Sequence, residues 1–217
     1  MDILLFLPVL LFSVVLHEVA HGWVALKQGD DTAQRAGRLT LNPIPHIDLF
    51  GSIIVPAVLW LAPGRVLFGW AKPVPVDPRQ YRHYRRGDIL VSLAGIAANL
   101  LLAVSFTLLV VLLTYLARLA PPLLSILTIV AGMARIGILL NLILAFFNLI
   151  PIPPLDGSHV LAQLLPARMR AGYRQMGRYG LLILMGLLFL APSALETLLW
   201  PALALDRLAV SFIHLVA

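Results

Sequence analysis

The stretch VVLHEVAHGWVALK, residues Val14–Lys27, places two histidines and a glutamate inside an apolar segment close to the start of the chain. Of the 217 residues, 60% are hydrophobic and only 12% are charged, and the mean hydropathy is +0.94. An ordinary soluble domain is much less apolar than this. The composition therefore predicts an integral membrane protein, in which ionisable side chains inside a span are costly and usually functional.

Long windows without acidic or basic residues predict about five transmembrane helices, because one crossing needs about 20 mostly apolar residues. We expect one all-α polytopic membrane domain over residues 1–217, without an appended soluble domain. A small membrane-associated β-hairpin or sheet is expected between the first two spans, where GWAKPVPVDP (Gly69–Pro78) alternates in a β-type pattern. The expected spans are residues 3–26, 89–117, 136–165, 179–191 and 196–216, with 123–135 as an outer extension.

The basic residues indicate the orientation of the chain in the membrane. Thirteen of the sixteen Lys and Arg residues lie in two segments, Lys27–Arg86 and Arg168–Arg178. Because such residues collect in cytoplasmic loops, the loop at residues 27–88 should face the cytoplasm. We expect an integral protein of a bacterial or archaeal cytoplasmic membrane, with the lipid bilayer as a partner and Arg135 as an outer-interface anchor. A nucleic acid partner is not expected, since basic runs beside spans are topology signals.

The opening stretch contains a zinc-binding pattern. In His-Glu-x-x-His on a helix, His17 and His21 lie one turn apart on one face and can bind one metal ion. Glu18 can then act as the general base that takes a proton from water, as in metalloproteases. Cysteine is absent, which excludes thiolate ligands and disulfides. A catalytic zinc site usually takes a third protein ligand and keeps one position open.

Asp156 is the stronger candidate for the third ligand. It lies in NLIPIPPLDGSH (Asn148–His159), where three prolines within four residues prevent a regular helix. Broken backbone inside a membrane is tolerated only beside protein or a water-filled cavity. His17 and Asp156 would each lie about 14 Å from the inner end of their spans. Asp156 can alternatively be read as a helix cap before Gly157.

These motifs together resemble the site-2 protease family of intramembrane zinc metalloproteases. HEVAH and NLIPIPPLDG are accompanied by GRLTLNPIPHIDLFGSIIVP (Gly37–Pro56), by GWAKPVPVDP and by SLAGIAAN (Ser92–Asn99). The resemblance covers roughly residues 11–165 and corresponds to a short form without a PDZ or CBS domain. A five-residue zinc motif is a weak signal alone, whereas this ordered set is highly specific.

The resemblance implies the site and its chemistry. His17, His21 and Asp156 would bind one Zn²⁺ per chain, Glu18 would activate water, and Asn148 would help to hold substrate or the developing oxyanion. The substrate would be a transmembrane protein or peptide, cut near the cytoplasmic side. This chain has Gly95-Ile96 where the family often has Gly-Pro, a departure close to Asn99. We interpret Asn99 as a hydrogen-bonding contact between helices.

Several alternatives stay open from the sequence. A membrane zinc transporter or a non-catalytic membrane scaffold would also fit intramembrane His and Asp residues. The segment through Lys72, Val74 and Val76 either pairs with an extended substrate or is an edge blunted by its prolines. His159 is either a partner of the metal site or a satisfied polar residue.

Overall fold

The computed structural model of the chain describes residues 3–55, 58 and 71–216. The chain folds almost entirely into helices in this part, because its apolar runs can satisfy their backbone groups internally. Short 3-10 turns cover Ile44–His46, Pro78–Gln80, Pro121–Leu123 and Met176–Tyr179, and a π-helical turn covers Leu49–Ile54. The α-helices are α1 (Ile3–Gln28), α2 (Thr32–Arg35), α3 (Tyr84–Leu119), α4 (Leu124–Leu149), α5 (Asp156–Leu164), α6 (Ala167–Gln175), α7 (Gly180–Leu190) and α8 (Pro192–Val216).

Four stretches of the described residues are long and apolar enough to cross a membrane, and they correspond to α1, α3, α4 and α8. The expected first, second and fifth spans are therefore found as long apolar helices. The expected fourth span at residues 179–191 is not among them, because α7 has 11 residues. At 1.5 Å per residue α7 is about 16 Å long, whereas the hydrocarbon core is about 30 Å thick.

The third span differs from the expected bounds of 136–165. The candidate span covers Pro121–Leu149, so the stretch expected as an outer extension is its first half. The helix ends at Leu149 because Ile150 is extended, with φ −60° and ψ 129°, and a residue before a proline is disfavoured in the helical region. A non-helical linker, residues 150–155, then leads into the separate helix α5.

The expected β-hairpin or sheet between the first two spans is not found: residues 3–55, 58 and 71–216 contain no strand. Part of the predicted segment, residues 69–70, lies outside the described residues. Pro73 and Pro75 have no N–H to give to a ladder. The Lys72 N–H donates to the His46 carbonyl at 2.9 Å, and the Val74 N–H donates to Glu18 at 2.7 Å. Two of the three donors expected on an open edge are thus used within the chain.

The spans pack around α3 and α4, which are joined by the short Pro121–Leu123 turn and lie antiparallel. Helix α1 contacts both of them, and α8 packs mainly on α4. Small residues line the interface between the long helices, and Ala103, Ala134 and Ala202 are each no more than 4% exposed. Such residues let helix backbones approach closely where lipid provides no hydrophobic driving force.

An ion pair joins α4 to α8 within their spans. The Arg135 guanidinium donates two hydrogen bonds to the Asp206 carboxylate, at 2.6 and 2.7 Å. Arg135 is the twelfth of the 26 residues of α4, so it lies near the middle of that helix. The expectation that Arg135 anchors the outer interface is therefore wrong, since a charged side chain at this depth needs a partner.

Both basic segments lie at the same end of the helix bundle. The end of α1 meets the approach to α3, where the Arg82 N–H donates to the Gln28 carbonyl at 2.8 Å. From the second basic segment, Arg174 donates to the Tyr84 hydroxyl at 2.7 Å. The described parts of both basic segments therefore mark one end of the bundle, and the half of α1 that carries the histidines is nearer to this end.

Candidate metal centre

Three side chains from two distant parts of the chain converge between α1 and α5. The Nε2 atoms of His17 and His21 lie 3.0 Å apart, one helical turn from each other. An Asp156 Oδ2 atom lies 3.3 Å from each of these nitrogens. The two histidines are 8% and 9% exposed. The structure thus brings together the three residues predicted as ligands.

The hydrogen bonds of the two rings fix which nitrogen is free. The Val91 carbonyl can only accept, so His21 carries its proton on Nδ1, 2.7 Å from that oxygen. The Nδ1 of His17 faces the Asn99 Oδ1 at 2.8 Å and donates to it. In the neutral form of both rings, the two Nε2 lone pairs and the Asp156 oxygen therefore point at one another. Three acceptors in this arrangement repel each other unless a cation joins them.

The spacing of the three atoms fits zinc. In a tetrahedral site with bonds of about 2.0–2.1 Å, neighbouring ligand atoms lie about 3.3–3.4 Å apart. The observed 3.0, 3.3 and 3.3 Å are close to these values. Asp156 Oδ2 is buried, and no group of the described residues donates a hydrogen bond to it, as expected for a metal-binding oxygen. Two imidazoles and one carboxylate are also one of the common donor sets of a catalytic zinc site with an open fourth position.

Two glycines allow this convergence. A Cβ on Gly95 would lie 2.4 Å from the His21 Nε2 and 2.5 Å from a carbon of the His17 ring. A Cβ on Gly157 would lie 2.2 Å from the Leu149 carbonyl oxygen. The first glycine lets α3 approach both imidazoles, and the second lets the start of α5 fold back against the end of α4. The sequence marked both within motifs but did not indicate these contacts.

Asn99 belongs to the site, although the sequence favoured a contact between helices. It is 0% exposed and accepts from His17 across α1 and α3, so it does join two helices. The acceptor also determines the tautomer and orientation of a metal-binding ring, which is the usual role of an outer partner. The Ser-Leu-Ala-Gly-x-x-x-Asn spacing was the only sequence signal for this role.

The other predicted residues of the site, Glu18, Asn148 and His159, each have their own hydrogen-bond or ion-pair partner. Glu18 follows His17 on α1, and its Oε2 accepts the Val74 N–H. Asn148 lies in the last turn of α4 and donates to the Leu144 carbonyl at 3.0 Å, so its role in substrate or oxyanion binding stays a prediction. The His159 Nδ1 lies 3.6 Å from Asp88, which makes His159 a partner of that carboxylate.

The fold and the site together define a membrane protein with a candidate zinc centre and an adjacent glutamate. Comparison with known proteins agrees with this class. Residues 125–191 match the model of Peptidase family M50. The chain is 42% identical over 199 residues to the Bacillus subtilis protein named "Putative zinc metalloprotease YwhC", covering 91% of this chain and 85% of that protein.

A second relative is more distant. The Mycolicibacterium smegmatis protein named "Putative zinc metalloprotease Rip2" is 33% identical over 178 residues, covering 82% of this chain and 64% of that protein. The Rip2 protein of Mycobacterium tuberculosis is also 33% identical, over 183 residues that cover 84% of this chain and 65% of that protein. The chain thus spans slightly less than two thirds of these two relatives. No solved structure matches the chain.

The chain belongs to peptidase family M50, the family of zinc metalloproteases that the sequence motifs resembled. The resemblance to the site-2 protease family is confirmed by this membership.

Proposed function

We propose that the protein is an intramembrane zinc metalloprotease that hydrolyses peptide bonds of membrane-spanning substrates near the cytoplasmic side. The observation that carries this proposal is the convergence of His17, His21 and Asp156 beside Glu18, with both histidines and Glu18 on a helix apolar enough to cross a membrane. Membership of a peptidase family favours a protease over the zinc transporter and the non-catalytic scaffold. A general base next to the ligands also has no part in passive metal transport.

The residues of the site have separate roles in the proposed hydrolysis. Zinc held by the two imidazoles and the carboxylate would polarise the scissile carbonyl and lower the pKa of its water. Glu18 accepts a proton from the attacking water as the oxygen adds to the carbonyl carbon. Glu18 then passes this proton to the leaving amine nitrogen, so that the C–N bond breaks without a free anion. Asn148 is the proposed donor to substrate or oxyanion, as the family resemblance implies.

The depth of the site supports cleavage below the membrane surface. His21 lies seven residues and His17 eleven residues before the end of α1, which corresponds to about 10 and 16 Å along the helix axis. That end of α1 is the one at which both basic segments lie. By the positive-inside rule, we infer that this end faces the cytoplasm. The bacterial sources of the relatives favour a bacterial cytoplasmic membrane.

The substrate must lose its helical structure before it can react. A peptide bond inside a helix is shielded by its neighbours, so a transmembrane segment has to be extended next to the zinc centre. Strand addition to a backbone edge is a general way to hold an extended peptide. Residues 71–77 can hold a substrate in this way only through backbone groups that form no hydrogen bond within the chain. The N–H groups of Lys72 and Val74 are already donated to His46 and Glu18.

The test is a cleavage assay with the full chain in proteoliposomes, using membrane-anchored peptides and measuring zinc content in parallel. Wild type should contain about one zinc per chain and cut the peptides. The Glu18→Gln variant should keep its zinc and lose cleavage, because only the base is removed. Cleavage by Glu18→Gln at the wild-type rate would overturn the proposal. Zinc flux into the vesicles without any peptide cleavage would instead favour a transporter.

A further inference from the structure

Residues 71–77, which we call the strap, lie against α1 beside the candidate metal centre. Val74 is the middle residue of the strap and is 6% exposed. A Cβ on Gly22 would come within 2.9 Å of a Val74 methyl carbon, so this glycine provides the space in which Val74 packs. Gly22 directly follows His21 and lies one turn from Glu18. The strap therefore contacts the face of α1 that carries the general base.

The two ends of the strap are held by buried groups other than Glu18. At one end Arg38, which is 8% exposed, donates to the Lys72 carbonyl at 2.8 Å, and the Lys72 N–H donates to the His46 carbonyl. At the other end the Asp77 N–H donates to Asp30 at 2.6 Å, and Asp30 is 0% exposed. The position of the middle residue is thus fixed from both sides.

The sequence of the strap leaves one donor at its centre. Pro73 and Pro75 have no N–H, so Val74 supplies the only amide donor of these three residues. Pro75 also restricts Val74 to extended backbone conformations. That single N–H donates to the Glu18 Oε2 at 2.7 Å. Hydrogen bonds to a carboxylate are short and about twice as strong as those between neutral groups.

We propose that the Val74 N–H is a positioning group for the general base, an inference that rests on the proposed protease function. By holding one carboxylate oxygen, the strap fixes the Glu18 side chain in one conformation and leaves the second oxygen for the attacking water. A glutamate that is free to rotate has to be ordered during each reaction, and fixing it beforehand removes that cost. The strap is in turn held by Arg38, His46 and Asp30, which therefore act on Glu18 only through the strap.

The test removes the Val74 N–H and keeps the valine side chain. Replacement of Val74 by α-hydroxyisovaleric acid in the full chain converts one amide to an ester. The matched control is the same replacement at Val76, which also follows a proline and whose N–H has no acceptor in the part of the chain that the structure describes. We expect kcat to fall about 10- to 100-fold for the ester at 74, since a hydrogen bond to a charged group is lost. KM and zinc content should not change for the ester at 74. The ester at 76 should keep the wild-type kcat and zinc content, and a change confined to its KM would report substrate pairing by the Val76 N–H.

Amide hydrogen exchange provides a readout that does not depend on activity. The Val74 N–H should exchange slowly in wild type and quickly in Glu18→Ala, because its acceptor is gone. The exchange rate of the Lys72 N–H should be the same in Glu18→Ala as in wild type, since this group donates to the His46 carbonyl.

The kinetic and exchange measurements distinguish the positioning role from its alternatives. A wild-type kcat for the ester at 74 overturns the inference, and an increased kcat shows instead that the strap inhibits the base. An increase in KM alone shows that the strap binds substrate. Fast exchange of the Val74 amide in wild type also overturns the inference, even for a protein that cuts no peptide. Absence of cleavage by wild type contradicts the proposed function, whereas an active wild type with an unaffected ester contradicts only the positioning role.

Discussion

The Gly95→Ala variant tests how closely α3 packs against the metal ligands. The added Cβ would lie 2.4 Å from the His21 Nε2, whereas ordinary contacts begin at 3.4 Å. The ring or the helix must therefore move by at least 0.6 Å to reach the 3.0 Å below which such contacts essentially never occur, and by 1.0 Å to reach ordinary contact. A zinc site tolerates about 0.2 Å in its bond lengths. The methyl group consequently forces at least one imidazole away from the position in which it can bind zinc together with Asp156.

The expected loss of zinc affinity in Gly95→Ala follows from the displacement of an imidazole ligand. Removal of an outer partner of a ligand usually costs 10- to 100-fold in metal affinity. Displacement of a ligand itself should cost at least the upper part of that range, so we expect about 100-fold weaker zinc binding, or about 2.8 kcal/mol. The fold itself should be less affected, because α3 keeps its contacts with α4 along the rest of its 36 residues.

The assay is a competition titration of zinc against a fluorescent chelator, with the full chain in detergent. Thermal unfolding of the metal-free proteins measures whether the fold is retained. Gly132→Ala is the matched control in a neighbouring span, since no atom of residues 3–55, 58 or 71–216 lies within 4 Å of its added Cβ, and its zinc affinity should equal that of wild type. A folded Gly95→Ala protein that binds zinc as tightly as wild type would show that the imidazoles are not arranged as described.

Three further predictions concern the surroundings of the centre. Asn99→Ala removes the acceptor of the His17 Nδ1–H, so zinc affinity measured by the same titration should fall about 10- to 100-fold; an unchanged affinity would contradict this role. Asp206→Ala leaves the Arg135 guanidinium without its partner and should cost about 3 kcal/mol of folding free energy in an SDS titration. The exchange of Arg135→Asp with Asp206→Arg should restore most of this loss, and a destabilisation that the exchange does not relieve would count against the pairing. Burial lowers the pKa of His46 below 6.5, so the unfolded chain binds the proton first and stability should decline as pH falls below about 6.5. Thermal unfolding should show a smaller acid loss for His46→Gln than for wild type, and equal losses would exclude this cause.

The sequence predicted the parts of the fold that follow from composition and local pattern. Apolar length predicted the helices that contain the first and second spans, and the one-turn spacing of His17 and His21 predicted two ligands on one face. The third span was misplaced because the apolar run continues across the prolines. Helix α4 ends before Pro151, and the apolar residues beyond it form a linker and the short helix α5.

The remaining features depend on contacts between residues far apart in the chain. Arg135 and Asp206 are separated by 71 positions, and nothing in the apolar pattern around Arg135 indicates its partner. His17 and Asn99 are separated by 82 positions, so a buried asparagine could be assigned to helix packing but not to a particular ring. The Val74 contact with Glu18 depends on a backbone N–H, a group present at nearly every residue and therefore without a sequence signal.

The central claim is that Asp156 completes a zinc site with the two histidines of α1, and X-ray absorption at the zinc edge of the purified full chain tests it most directly. For wild type we predict one zinc bound by two imidazole nitrogens at about 2.0–2.1 Å and by carboxylate and water oxygens at about 2.0–2.2 Å. The Asp156→Ala variant should lose most of its zinc or show one oxygen ligand fewer. Zinc present in Asp156→Ala at the wild-type amount and with an unchanged spectrum would contradict the account.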